Sequence, residues 1–257
     1  MITDWHFYLA AIPAVIVMGL SKGGFSGLSL LSTPLLTLVM SPVRAAAIML
    51  PILLVQDAVS VWAYRNTFDR RVLLYMLPGS CAGIFIGWLV AKEVSDAMVG
   101  MVVGVISVVF VGMAIAKALR GKPVVATEQR APVLAPALFW GGCSGFTSFI
   151  SHAGGPTFQV YVLPLGLSPQ FYAGTTTMFF AATNLIKVLP YLALGQFSRE
   201  NLSTSAILFP LAAVATLGGV WLVRRVPAEG FFRLIYGLTL VVGLMLIYEG
   251  FKSMTGH

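Results

Sequence analysis

Long apolar stretches separated by short charged segments dominate this sequence. The charged residues concentrate in five segments, at 65–71, 92–96, 117–130, 199–200 and 224–233. The apolar stretches between them run to roughly 20 residues, the length that an α-helix needs to cross about 30 Å of hydrocarbon. The pattern predicts six full membrane spans, at 43–64, 71–91, 96–118, 170–194, 201–223 and 231–251.

Two further apolar regions, 5–40 and 132–167, are too long for one span, and each is interrupted by a polar, glycine-rich segment. The interruptions are residues 21–27 (SKGGFSG) and 151–156 (SHAGGP). Each region is either a helical hairpin that returns to its starting side or one bent crossing. The pattern leaves both open, so the total is eight to ten membrane segments in an all-α integral membrane protein.

The interruptions lie at matching positions of two similar halves. Gly23-Gly24 corresponds to Gly154-Gly155, and Asp57 falls opposite Asn184. The order of these matches predicts a duplicated unit. Its boundaries are 1–120 for the N-terminal repeat, 121–130 for a polar linker and 131–257 for the C-terminal repeat.

The distribution of Lys and Arg favours the hairpin alternative. If both interrupted regions are hairpins, one face carries ten basic loop residues and the other four; single crossings give nine and five. The positive-inside rule then places the basic face and the linker in the cytoplasm and both termini in the periplasm of a bacterial inner membrane. Three crossings plus a hairpin also make the second half inverted, an arrangement typical of secondary transporters.

Composition excludes several other classes. With 58% hydrophobic and 10% charged residues, the chain cannot cover a soluble domain. The net charge of +7 is explained by basic loops beside membrane spans, so nucleic acid is not an expected partner. No metal-ligand cluster, phosphate loop or haem pattern is present, and no cofactor is predicted.

The two glycine pairs predict a binding site for a small anion. A broken helix in lipid is tolerated mainly where it is covered by protein or lines an aqueous cavity. Glycine allows close approach of the backbone, and a helix N-terminus adds partial positive charge, so two facing breaks would favour an anion. The alternative for each pair is close helix packing by small residues.

Three charged residues and one histidine could act in such a site. Lys22 lies in the first break, Lys187 lies in the middle of a span, and Asp57 is the only acid deep in a predicted span. A charge there costs several kcal/mol unless it is paired or hydrated, so each is a functional candidate. Either lysine could instead extend to the interface, and Asp57 is either an ion-pair partner of Lys22 or Lys187 or a carrier of the coupling proton. His152 adjoins the second break and is either a substrate-facing group or a simple polar helix end.

Neutral donors on segments next to the breaks complete the candidate site, although any one of them could be a bond between helices. They are Ser26, Gln159, Thr175, Thr176, Thr177 and Asn184.

An enzyme is the competing hypothesis for one motif. Gly142-Cys143-Ser144-Gly145 matches the G-x-S-G pattern of rhomboid-type intramembrane serine proteases. Such proteases need a base some distance along the chain, and the only histidines after Ser144 are His152, within the break, and the terminal His257. A seam of small residues between helices explains the motif better, and no catalytic residue is predicted.

These motifs resemble the TauE/SafE sulfite-exporter family over nearly the whole chain. The resemblance rests on residues 20–27 (LSKGGFSG) with Thr33-Pro34 and their repeat at 151–156 with Leu163-Pro164. The segment from Gly174 through Asn184 to Lys187 and Pro190-Tyr191 is also similar. The resemblance implies export or exchange of sulfite, organosulfonates or related small anions. Lys22 and Ala153 stand where many relatives carry a third glycine, so the substrate is not fixed by the motif.

The sequence therefore predicts a secondary transporter of small anions, with a passive anion channel as the alternative. Its expected partners are the anionic substrate, the lipid bilayer and a proton or other coupling ion. The direction of transport and the oligomeric state stay open, with a homodimer among the alternatives. The predicted substrate-binding residues are Lys22, Gly23, Gly24, Ser26, His152, Gly154, Gly155, Gln159, Thr175, Thr176, Asn184 and Lys187, with Asp57 for coupling or ion pairing.

Overall fold

Helices make up the described part of the chain, and no strand occurs in it. The computed structural model describes residues 5–26, 28, 32, 35–36, 39, 42–91, 93–120, 129–151, 153–193 and 199–255. Its α-helices are α1 (Trp5–Lys22), α2 (Pro42–Tyr64), α3 (Arg70–Val90), α4 (Asp96–Leu119), α5 (Leu134–Ser151), α6 (Gly154–Val162), α7 (Pro169–Ala193), α8 (Arg199–Arg225) and α9 (Ala228–Thr255). A 3₁₀ turn, Leu163–Leu165, follows α6.

The predicted spans coincide with α2, α3, α4, α7, α8 and α9. Four of these helices, α3, α4, α8 and α9, are long and apolar enough to cross a membrane by themselves. The part Ile48–Tyr64 of α2 is a shorter apolar helix, and α7 carries several buried polar residues, including Asn184 and Lys187. The helical content and these apolar helices confirm the predicted fold class, an all-α integral membrane protein.

The outward faces of the long helices carry large apolar side chains, while small and polar residues lie inside the bundle together with an aromatic core. On α3, Trp88 and Leu89 are exposed while Ser80 and Gly83 are buried. Lipid tails solvate apolar side chains as well as a protein core does, so burial in membranes selects small residues that bring helices close together. The exposed apolar surface is therefore the surface that faces lipid.

Helix packing between the two halves is reciprocal. Helix α1 packs along α8, and α5 packs along α3, so the first helix of each half lies against the third full-length helix of the other. The last helices, α4 and α9, pack on each other, as do α2 and α7. Two halves related by a two-fold axis would give this pairing, and the inverted repeat remains a prediction of the sequence.

The second interrupted region is a hairpin. Helix α5 ends at Ser151 and α6 begins at Gly154, which is the predicted break. The chain then returns, since residues at and beyond the end of α6 contact residues that precede α5. The Arg130 amide donates to the Leu165 carbonyl at 2.9 Å, and the Tyr161 hydroxyl lies 3.0 Å from both the amide nitrogen and the carbonyl oxygen of Val133. Of the two alternatives left open by the sequence, the hairpin is correct for 132–167.

The first region is described only in part. Helix α1 ends at Lys22, which confirms the position of its break, and Gly24 adopts φ +135° there. A positive φ in this region favours glycine over any residue with a Cβ. Most residues between 27 and 41 lie outside the described residues, so whether this region also returns stays a prediction.

Several loops meet at one end of the bundle. Arg224 donates to the Ala63 carbonyl at 3.3 Å, which brings the α8–α9 loop beside the α2–α3 loop. The Asp69 amide donates to Thr175 at 2.9 Å, near the start of α7. Asp69 also caps α3 through its carboxylate. We call this the basic end, because five arginines of the predicted basic face lie in or directly beside the α2–α3 and α8–α9 loops, namely Arg65, Arg70, Arg71, Arg224 and Arg225.

The basic end is expected to face the cytoplasm, since basic loops are retained on that side during insertion. In a chain with Cys81→Ala and Cys143→Ala, a membrane-impermeant maleimide should label Ser253→Cys in sealed cells. It should label Arg120→Cys only after the membrane is permeabilised. Labelling of Arg120→Cys in sealed cells with Ser253→Cys protected would reverse the orientation.

Candidate functional site

An ion pair buried between the two halves is the centre of the candidate site. Lys22 Nζ, at the end of α1, lies 2.6 Å from Asp57 Oδ1 on α2. Asn184 Nδ2, on α7, donates to Asp57 Oδ2 at 2.9 Å. Asp57 is 5% exposed, so its carboxylate depends on this ion pair and this hydrogen bond rather than on bulk water, and its Oδ1 accepts no hydrogen bond from the described residues. The two residues that match between the sequence halves, Asp57 and Asn184, are therefore direct partners.

Lys187 brings a second ammonium group into the same region. It lies three residues after Asn184 on α7, so both side chains project from one face of that helix. Its Nζ donates to the carbonyl and to the hydroxyl of Ser148 on α5, both at 2.9 Å. The side chain is 4% exposed, and it interacts electrostatically with Lys22 and Asp57. Lys187 therefore does not extend to the interface.

The buried groups carry an excess positive charge. The charged cluster, defined as Lys22, Asp57, Asn184, Lys187 and Ser148, contains two ammonium groups and one carboxylate. In the part of the chain that the structure describes, no carboxylate pairs with Lys187, because Asp57 is bonded to Lys22 and Asn184. A buried ammonium that is held only by neutral oxygens favours binding of an anion.

Neutral side chains form a separate network between the first break and α6, the helix at the second break. Gln159 Nε2, on α6, donates to Ser26 Oγ at 3.0 Å and to the Ser26 carbonyl at 3.3 Å. Ser26 Oγ is also 3.1 Å from the Tyr172 hydroxyl, and Thr239 donates to Gln159 Oε1. The two interrupted regions therefore contact each other inside the bundle, as the paired glycine motifs suggested.

The three consecutive threonines on α7 have different partners. Thr177 donates to the Lys22 carbonyl at 3.2 Å, which satisfies a free carbonyl at the end of α1. Thr176 bonds back to the Tyr172 carbonyl on its own helix, and Thr175 joins Phe171 to the loop at Asp69. Of the three, only Thr177 forms a hydrogen bond with a residue of the charged cluster, whereas Thr175 binds the α2–α3 loop.

The two glycine pairs differ in their surroundings. A Cβ on Gly23 would lie 2.5 Å from Gly219, and one on Gly24 would lie 2.7 Å from Val223, so this pair packs against α8. A Cβ on Gly154 would overlap the Ser144 carbonyl at 2.7 Å, whereas a Cβ on Gly155 would meet none of the described residues within 4 Å. Close packing therefore accounts for three of the glycines, and Gly155 borders open space beside the second break.

The G-x-S-G motif forms a helix seam, as its small residues indicated. Cβ atoms on Gly141 and Gly145 would lie 2.2 Å from the Met76 and Ser80 carbonyls of α3. Ser144 is fully buried, and its hydroxyl donates to the Gly154 carbonyl at 2.8 Å. Close contact with α3 and support of the second break account for these residues.

Several contacts of the candidate site were not predicted from the sequence. Ser148 holds Lys187, and nothing in its sequence context distinguishes it from other small residues of α5. Tyr64 donates to the Gly23 carbonyl at 2.6 Å and supports the first break. Gln56, next to Asp57, donates to the Val15 carbonyl at 3.1 Å, and its own buried Oε1 has no partner among the described residues. His152 lies outside the described residues.

Three comparisons with known proteins, with curated proteins, solved structures and protein-family models, bear on the family of this chain. Neither the curated proteins nor the solved structures include a match to the chain. A protein-family model described as sulfite exporter TauE/SafE matches residues 11–246, which is most of the sequence. The match confirms the resemblance carried by the two glycine motifs. The chain belongs to the TauE/SafE family of sulfite exporters.

Proposed function

We propose that this protein is a secondary transporter that exports a small sulfur oxyanion, sulfite or an organosulfonate, across a bacterial inner membrane. The observation that carries the proposal is the excess positive charge of the charged cluster. Family membership supports transport of an anion as the activity. Sulfite and sulfonates share three oxygens around sulfur, which can accept several hydrogen bonds at once.

Lys187 is the proposed anion-binding charge. Its ammonium has three donors, and at least one remains after the two bonds to Ser148. An anion that leaves water loses hydration energy, and an ammonium that is already desolvated offsets that loss most effectively. The open space at Gly155, which follows the break at the end of α5, is the proposed place for the bound oxyanion.

Asp57 is the proposed coupling group. Its carboxylate forms an ion pair with the Lys22 ammonium, so an incoming anion competes with Asp57 for that ammonium. A proton on Asp57 would remove the competition, and Asn184 would still supply a hydrogen-bond partner through its amide. Anion binding and protonation then support each other, so a proton and an anion would cross together, driven outward by the accumulation of the anion inside the cell.

Burial of the cluster supports a carrier rather than a channel. Lys22 and Asp57 have side-chain exposures of 11% and 7%, and Lys187 is 4% exposed. A channel needs a continuous aqueous path, whereas a carrier encloses its site between states that open to alternate sides. Reciprocal packing of the two halves provides elements that could move against each other about this site.

Lys187→Gln is expected to weaken sulfite binding at least about tenfold, since a charge-assisted hydrogen bond is lost. Gln can still donate to Ser148, so folding should be retained. Sulfite uptake and counterflow in proteoliposomes, together with melting temperatures in detergent, provide the measurement. Lys117→Gln removes an exposed lysine and is the matched control, with transport unchanged. If Lys187→Gln folds and binds sulfite normally, the charged cluster is not the anion site. Flux that never saturates would favour a channel.

Asp57→Asn is expected to uncouple transport from protons, because the amide cannot change its protonation. Sulfite should still move down its own gradient, but an imposed pH gradient should no longer stimulate uptake. Freed from its carboxylate, Lys22 should bind the anion more tightly, so sulfite should raise the melting temperature of this variant more than that of the wild type. An unchanged response to the pH gradient would leave Asp57 as a structural ion-pair partner.

Gly155→Val is expected to lower the transport rate while the protein still folds, because its side chain would enter the open space without overlapping described atoms. Gly24→Val is the comparison variant, and it should fail to fold, since Gly24 has φ +135° and is crowded by Val223 and Ala173. Yield of monodisperse protein and sulfite flux separate the two effects. Normal flux through folded Gly155→Val would place the substrate elsewhere.

A further inference from the structure

A second positively charged site lies at the basic end, outside the charged cluster. A cavity of about 450 Å³ opens between the ends of α2 and α8. Arg65 and Arg224 line it together with the polar side chains of Asn66 and Thr67, and Trp62 and Trp221 form part of its wall. We call this the arginine cavity.

Both arginines are oriented but not neutralised. Arg65 Nη1 donates to the Trp62 carbonyl at 2.6 Å, and Arg224 Nη2 donates to the Ala63 carbonyl at 3.3 Å. These bonds satisfy carbonyls at the end of α2 and hold each guanidinium in place. Among the described residues neither guanidinium pairs with a carboxylate. Each guanidinium has five N–H donors, so most of them remain available to an anion.

The tryptophans indicate that the arginine cavity faces the membrane interface. Trp62 and Trp221 are 62% and 55% exposed, in a protein whose exposed apolar surface faces lipid. Arg65 lies over the Trp62 ring at 5.0 Å, and Arg225 lies over the Trp221 ring at 4.6 Å. Tryptophan rings concentrate at headgroup depth, with basic side chains extending toward the phosphates.

The arginine cavity is separated from the charged cluster by closely packed residues. Tyr64, which is 1% exposed, lies beneath it and donates to the Gly23 carbonyl. Gly23 and Gly24 are in close contact with Gly219 and Val223 of α8, the helix that lines the cavity. An anion held by Arg65 and Arg224 is therefore not on the sulfite site.

We propose that the arginine cavity binds the phosphate of an anionic phospholipid headgroup, with Arg65 and Arg224 as bidentate donors. Asn66 and Thr67 supply neutral donors at the headgroup, and the acyl chains lie against Trp62 and Trp221. The planar guanidinium group has paired donors that match two oxygens of a phosphate diester, whereas an ammonium group acts as a point charge. The bound lipid would join the ends of α2 and α8, which belong to different halves. This inference stands independently of the transported substrate.

The test compares lipid retention by purified protein in detergent, measured by native mass spectrometry with phosphatidylglycerol or phosphatidylcholine. Wild type should retain phosphatidylglycerol preferentially, and the double variant Arg65→Gln/Arg224→Gln should retain it at least about tenfold more weakly. Arg71→Gln/Arg120→Gln removes two exposed charges of the predicted basic face and should behave like wild type. Equal loss in both double variants would mean only non-specific attraction of anionic lipid, and would overturn the proposal.

Two further measurements show whether the bound phosphate belongs to a lipid or to a free anion, and whether the result depends on folding of the Gln variant. Millimolar inorganic phosphate should not displace the lipid; displacement would assign the arginine cavity to a free anion instead. Arg65→Lys/Arg224→Lys keeps both charges and should retain lipid at an intermediate level, so the proposal stays testable if the Gln pair does not fold. Unchanged lipid retention in the Gln pair with a raised KM for sulfite would make the cavity a substrate vestibule, contrary to the proposal.

Discussion

Charge buried in hydrocarbon needs a substitute for water, and this requirement organises the interior of the bundle. Asp57 is the only acid in the middle of the membrane segments, and its two oxygens join α1 through Lys22 and α7 through Asn184. Lys187 then joins α7 to α5 through Ser148. These bonds connect four helices from both halves, so a change in charge at one site alters contacts throughout the interior. Removing one partner of such a pair costs several kcal/mol, because the other charge is left unpaired.

Close helix approach is the second constraint, and it separates two roles that the glycine motifs combine. Gly23 and Gly24 allow α1 to contact α8 where the α1 helix ends. Gly154 does the same on the other side, packing against α5, while Gly155 borders open space. The two matching glycine pairs therefore lie in different surroundings, one fully packed and the other partly open. A pseudo-symmetric carrier in one conformation is expected to show such a difference, since its two halves adopt inequivalent arrangements at any moment.

Much of the fold followed from the sequence because membrane spans depend on local properties. Apolar length and charged loops were sufficient to place α3, α4, α8 and α9, and the glycine breaks fixed the ends of α1 and α5. The buried charged residues could also be predicted, because burying the charge of Lys22, Asp57 or Lys187 in lipid costs free energy in any orientation of the side chain. Their partners were not, because pairing depends on packing between helices distant in sequence. Two ion pairs with Asp57 were open, and only the structure assigns it to Lys22 and leaves Lys187 to Ser148.

The location of positive charge also distinguishes retention of lipid from selection of substrate. Arginines at the basic end lie in water and headgroups, where salt screens a charge beyond about 10 Å. They can hold a phosphate that touches them, but they contribute little to the energy of an anion deep in the bundle. Lys187 is weakly screened, because protein replaces the surrounding water. In the proposed mechanism the selective step of transport therefore uses the buried ammonium of Lys187, which has no carboxylate partner among the described residues because Asp57 is paired with Lys22.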